Sequence, residues 1–189
     1  FPATIDLGQL ERRTYYRGRV ALHAILQALD IGPGDQVATQ AFTCAAVPEA
    51  IRASGAAPLY IDIEPDGYNL DPESLRSRLT TQTRAIVVQH TFGIPAAMDA
   101  LVAIAEEHDT PIIEDCCHTF LSKQGGRYVG TFGVASFYSY EWGKPVAVGL
   151  GGGAAANDRA LAAKLDAAYA GYVTPSLLRR VKIEVQRLI

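Results

Sequence analysis

The sequence is poor in the residues that staple a fold covalently or through a metal. Its 189 residues hold three cysteines, Cys44, Cys116 and Cys117, two of them adjacent and none in a CxxC spacing. That arrangement is neither a disulfide framework nor a zinc site, and it fits a reducing, cytoplasmic setting. No apolar run is long enough to span a bilayer. Phe1-Pro2-Ala3-Thr4 lacks the basic and then apolar stretches of a signal peptide. Excess positive charge is missing as well. Seventeen basic against twenty acidic residues leave a net charge of −3, which gives no electrostatic footprint for nucleic acid or an anionic membrane. Internal repeats and low-complexity segments are absent. What remains is 49% hydrophobic and 20% charged, enough apolar material to bury a substantial core unaided. The chain begins at Phe1 and stops at Ile189 within a helical pattern, so we expect a piece of a longer protein.

Helical and strand-like patterns alternate along the chain. Residues 19–30 carry apolar side chains at helical spacing and stop at Gly32-Pro33-Gly34. Helices are also expected over 45–54, from Asp71 as N-cap with Pro72 at the first position to about 79, and over 98–108, 158–169 and 176–188. Short apolar runs at 36–40, 57–63, 84–90, 111–114, 134–139 and 152–156 read as strands. Strands separated by helices imply a three-layer α/β/α fold with a mainly parallel sheet covered on both faces. Ligands in such folds sit beyond the carboxyl ends of strands, which draws attention to His90, Asp115, Ser139 and Lys144.

Three features there carry chemistry. Asp115 closes the run Pro111 to Asp115; a carboxylate in that place caps a helix, binds a metal or pairs with a cationic ligand. Lys144 follows a strand and an aromatic-rich turn and precedes Gly149-Leu150-Gly151-Gly152-Gly153. A lone lysine is ordinarily a solvated surface residue, but one held in an apolar pocket forms Schiff bases. Arg17-Gly18-Arg19 opens the first helix, where backbone N–H groups and the helix dipole suit a phosphate; an ordinary helix entry has the same pattern. Taken together, a phosphate seat, a carboxylate and a lysine are what pyridoxal 5'-phosphate requires. The glycine run is not a dinucleotide loop, since it lacks the preceding long strand and the following acidic residue. His90, Glu141 and Trp142 read as structural residues, and Cys116 and Cys117 as small core residues.

The order of motifs resembles the DegT/DnrJ/StrS sugar aminotransferases, a pyridoxal-phosphate family of fold type I. Ile31-Gly32-Pro33-Gly34-Asp35-Gln36-Val37 is similar to the family's IGPGDEV segment, and Pro95-Ala96-Ala97-Met98-Asp99 to its PADMD turn. Ile113-Glu114-Asp115-Cys116-Cys117-His118 resembles IEDAAQ or IEDAAH, while Ser139 and Lys144 match the serine and lysine of S-F-x-x-x-K. The strand segments 59–71 and 83–93 fit as well, so the likeness covers roughly residues 14–170.

The resemblance implies a large cofactor-binding domain over residues 1–170, with 171–189 starting the connection to a mostly absent small domain. It implies that Lys144 holds the cofactor and shuttles a proton, and that Asp115 pairs with the pyridine nitrogen. It places His118 near the phenolic oxygen, and Ser139, Gly18 and Arg19 at the phosphate. Three departures stand out. Arg19 replaces a threonine. Cys44 occupies a position commonly aromatic and stacked on the cofactor. Pro145 follows Lys144 where asparagine is usual, a Gly-Lys-Pro variant. The implied activity is amino transfer from glutamate or glutamine to a keto-sugar, nucleotide-linked, by a homodimer. A cofactor-binding regulator without turnover, or other fold type I chemistry, is the alternative.

Overall fold

The computed structural model describes residues 11–157, 159–172, 176–178, 181 and 185. The expected helix over 176–188, the chain start and most of the expected connection lie largely outside the described residues. Nine strands and five α-helices are present among the described residues, in the order β1 (Glu11–Tyr15), α1 (Gly18–Ala28), β2 (Gln36–Gln40), α2 (Ala46–Ala53), β3 (Ala57–Ile61), α3 (Pro72–Arg78), β4 (Thr83–Gln89), α4 (Met98–Glu107), β5 (Ile112–Asp115), β6 (Lys123–Gln124), β7 (Arg127–Tyr128), β8 (Ala135–Ser139), β9 (Gly152–Ala156) and α5 (Arg159–Ala170). Seven strands form one sheet in the order β1-β9-β8-β5-β4-β2-β3, and β6 and β7 make a separate hairpin.

Period-two alternation sorts the strand side chains between two cores. Ala85, Val87, Ile113, Ala135 and Phe137 face α1, α2 and α5. Ile86, Val88 and Ile112 face Leu75 of α3 and Met98, Leu101 and Ile104 of α4. Leu22, Ile25 and Leu26 of α1 are fully buried, each contributing about 1.5–3 kcal/mol of hydrophobic stabilisation. At α3 the expected cap is present: the Asp71 carboxylate accepts from the N–H groups of Glu73 and Ser74, at 3.3 and 3.2 Å, with Pro72 in the first turn. The layers are therefore the α/β/α arrangement expected.

Two features were not expected from the sequence. β1, with the sequence Glu-Arg-Arg-Thr-Tyr, is a charged edge strand that pairs with β9. The hairpin of β6 and β7 turns at Gly125-Gly126, both at positive φ, as a two-residue hairpin loop requires.

β9 runs antiparallel to both β1 and β8, whereas β2, β3, β4, β5 and β8 are mutually parallel. No helix intervenes between β8 and β9, and the connection returns directly to pair β9 antiparallel with β8. Gly152, the first residue of β9, lets α1 approach the sheet: a Cβ there would collide with the backbone of Arg17 and Gly18. Gly152→Ala is expected to push the start of α1 off the sheet and destabilise the protein by about 1–3 kcal/mol, measured by urea unfolding. A midpoint equal to wild type would show that this close approach is dispensable.

Candidate functional site

The carboxyl ends of β4, β5 and β8 and the start of α1 converge on one cavity. Its walls include Gly18, Arg19, Cys44, Asp115, His118, Ser139 and Lys144, so all seven candidate residues come together. Arg17, Gln89, Cys117, Phe137 and Glu141 also line it.

Asp115 is the last residue of β5 and is 4% exposed. One of its oxygens accepts the N–H of Cys117 at 2.9 Å, so the carboxylate orders the turn that follows instead of capping a helix. Burial pushes its carboxyl pKa up; the Cys117 hydrogen bonds, then His118 and Lys144, pull against that shift. Burial, followed by the charge of Lys144, lowers the pKa of His118, while Asp115 opposes this. The His118 ring lies parallel to Phe92 with centroids 6.0 Å apart, and its Nδ1 accepts the Phe92 N–H at 3.3 Å. These bonds fix the imidazole beside the carboxylate.

At the other end, the start of α1 abuts β8. A Cβ on Gly18 would lie 3.1 Å from the Tyr138 carbonyl oxygen, 3.2 Å from Ser139 Cβ and 3.5 Å from Cys117 Sγ. Glycine is thus what allows the helix start to face the cavity next to the Ser139 side chain. Arg17 is the N-cap residue, and its side chain makes no cap hydrogen bond. Arg19 pairs with Glu49 of α2, and Arg17 with Glu141 at 3.1 Å. Lys144 is half-buried in the turn between β8 and β9.

Several readings from the sequence are refined here. Cys117 lines the cavity and is only partly buried, whereas Cys116 is a core residue as expected. Burial pushes both thiols well above their ordinary pKa, which favours the neutral, less nucleophilic form. Trp142 is 72% exposed, not packed; its ring rests near Gly149. Cys44 is an exposed thiol, so no aromatic ring stands at that position. His90 is the structural residue expected, bonded to Glu114 at 3.1 Å. His90, Glu114 and Cys116 cluster closely, but the His90 and Glu114 donors and acceptors are already engaged by the backbone and each other, so they do not form a metal centre. Gln89 was missed: its position at the end of β4 was the available signal. It accepts from the Thr43 hydroxyl at 2.7 Å and donates to Thr91 at 2.8 Å. A broader cleft between α1 and α5 contains Lys164 and Asp30, but these pair with one another at 2.7 Å.

A lysine, a buried carboxylate and a glycine-opened helix start, gathered at the carboxyl ends of a parallel sheet, define a ligand-binding α/β/α domain. The chain belongs to the DegT/DnrJ/EryC1/StrS aminotransferase family, whose pattern matches residues 14–173. A protein of Geobacillus stearothermophilus named pleiotropic regulatory protein is 40% identical over 148 residues, 78% of this chain and 40% of its own. GDP-perosamine synthase of Escherichia coli O157:H7 is 36% identical over 148 residues, 78% of this chain and 41% of its own. The solved aminotransferase from Psychrobacter cryohalolentis superposes with a TM-score of 0.80 at 32% identity, covering 87% of this chain and 45% of that one. The chain spans about two-fifths of the length of the curated relatives it matches.

Proposed function

We propose that the complete protein is a pyridoxal-phosphate-dependent aminotransferase. It takes an amino group from glutamate or glutamine and delivers it to a keto-sugar, nucleotide-linked. The observation that carries this reading is the convergence of Lys144, Asp115 and the start of α1 on one cavity. The residues fit the cofactor chemically. Asp115 is a buried acceptor suited to a protonated ring nitrogen, Lys144 offers an amine to an aldehyde, and Gly18, by packing closely on β8, brings the start of α1 to the cavity wall, where helix N–H groups suit a phosphate. The name of the GDP-perosamine synthase relative supports a nucleotide-linked amino sugar as product.

Bound pyridoxal phosphate supplies an electron sink for the bonding pair of a substrate C–H bond. The chain's own residues do the rest. The Lys144 Nζ would serve as the base that removes the proton at the donor carbon and, in the second half-reaction, as the acid that protonates the acceptor carbon. Asp115, oriented by the Cys117 N–H, would accept from the ring N–H and favour its protonated form. Backbone N–H groups of Gly18 and Arg19, with the Ser139 hydroxyl, hold the phosphate. His118, stacked against Phe92 on the cavity wall, would be a hydrogen-bonding group for the ring's phenolic oxygen. Residues 1–170 form the cofactor domain and 171–189 lead to a smaller one. The working form is a cytoplasmic homodimer; no helix among the described residues is long and apolar enough to cross a membrane.

Mixing the complete, cofactor-loaded protein with glutamate or glutamine is expected to release the matching keto acid in one equivalent per site before any sugar is added. Absence of keto acid with cofactor still bound would favour the second reading, a cofactor-binding regulator. The 40% sequence identity to the protein named pleiotropic regulatory protein, and the departures at Arg19 and Cys44, support that second reading.

A further inference from the structure

The turn that carries Lys144 has little packing to hold it. Trp142, Val146 and Val148 are 72%, 38% and 54% exposed. Backbone bonds close its base: the Tyr140 N–H donates to the Gly151 carbonyl at 3.0 Å, and the Val148 N–H to the Tyr140 carbonyl at 3.0 Å. Inside the turn, the Lys144 N–H donates to the Glu141 carbonyl at 3.1 Å, so the Glu141 backbone sets where Lys144 leaves the chain. At the cavity wall the Glu141 side chain pairs with Arg17, 3.1 Å away. Arg17 is itself anchored: its carbonyl accepts from Val20 and Ala21 at 3.0 and 3.2 Å and begins α1. The neighbouring cation, Arg19, is engaged by Glu49 and does not compete for Glu141.

We propose that Arg17 and Glu141 are a positioning pair, which ties the Lys144 turn to the start of α1 and so sets the distance between the amine and the phosphate seat. This rests on the assignment of Lys144 and Gly18 made above. The argument turns on size. A half-exposed ion pair contributes little to global stability. A reacting group displaced by about 1 Å can lose on the order of 100-fold in rate. A tie of this kind therefore shows in chemistry and in local order, and hardly in melting.

The test uses the complete protein and the variants Glu141→Gln, Arg17→Gln, Arg17→Lys and the Gln/Gln double. Without cofactor, amide hydrogen exchange across residues 140–149 is expected to quicken about threefold in Glu141→Gln and stay at the wild-type rate in β4 and β5. Melting should shift by no more than about 3 °C. With pyridoxal phosphate bound and glutamate or glutamine as donor, kcat for keto-acid release should fall on the order of 10- to 100-fold while KM changes about twofold at most. Arg17→Lys should recover part of the loss, and the double variant should be no worse than the poorer single one. Unchanged exchange in the turn, or additive losses in the double variant, overturns the pair. Failure of the underlying assignment looks different: wild-type protein reduced with borohydride carries no cofactor on Lys144, and the exchange data still decide the tie.

Discussion

Lys144→Ala in the complete protein is expected to lower amino transfer on the order of 10⁴-fold and to abolish borohydride fixation of the cofactor to the chain. Two losses combine in that number. On the proposed roles, the amine that would attach the aldehyde is gone, and so is the base that would move the substrate proton. The cofactor itself should still bind, more weakly, because the helix start and Asp115 are untouched. The other lysines with described side chains provide controls. Lys123 lies 4.1 Å over the Tyr128 ring, and Lys164 pairs with Asp30, each away from the cavity walls. Lys123→Ala and Lys164→Ala should keep both the covalent adduct and the rate. A Lys144→Ala protein that still yields a reduced adduct on another residue would sink the assignment.

Glu114→Ala is expected to cost about 3–5 kcal/mol of stability, enough to leave much of a marginal protein unfolded. Glu114 sits beside Asp115 in sequence, yet its side chain points to the opposite face of β5. There it accepts N–H groups of Gly130, Phe132 and Gly133 at 2.6, 2.6 and 2.7 Å. His90 completes the set: its Nδ1 accepts the Ala96 N–H at 3.1 Å, so the proton sits on Nε2 and is donated to Glu114. Both side chains are fully buried. Alanine would strand three backbone donors and the histidine in a fully buried site, and each orphan carries its own desolvation cost. Glu114→Gln, which keeps one acceptor oxygen, should lose less. Chemical denaturation of the complete protein measures both; a Glu114→Ala midpoint within error of wild type would refute this role.

The pair Glu114 and Asp115 shows where sequence reading stops. Both are carboxylates at the end of an apolar strand, and local pattern alone does not say which faces the ligand side. Register with β4 and β8 decides it, because one step along a strand reverses the side chain. β1 was illegible for a related reason. A charged edge strand has no apolar run to announce it, and it exists because β9 offers a partner. Arg17 and Glu141 lie 124 positions apart, so nothing local foretells their contact.

Sequence by itself determined the alternation of helices and strands and the α/β/α class, and its resemblance to a family supplied the seven residues that gather at the cavity. Apolar periodicity, turn-forming Gly and Pro, and chemistry placed at strand ends are local properties that survive reading in one dimension. Tertiary structure alone decided the reversal of β9, the structural duty of Glu114, the exposure of Trp142 and the bridge from Arg17 to Glu141. Those depend on which distant segments pack together, and packing is settled by the whole set of burial and hydrogen-bonding demands at once.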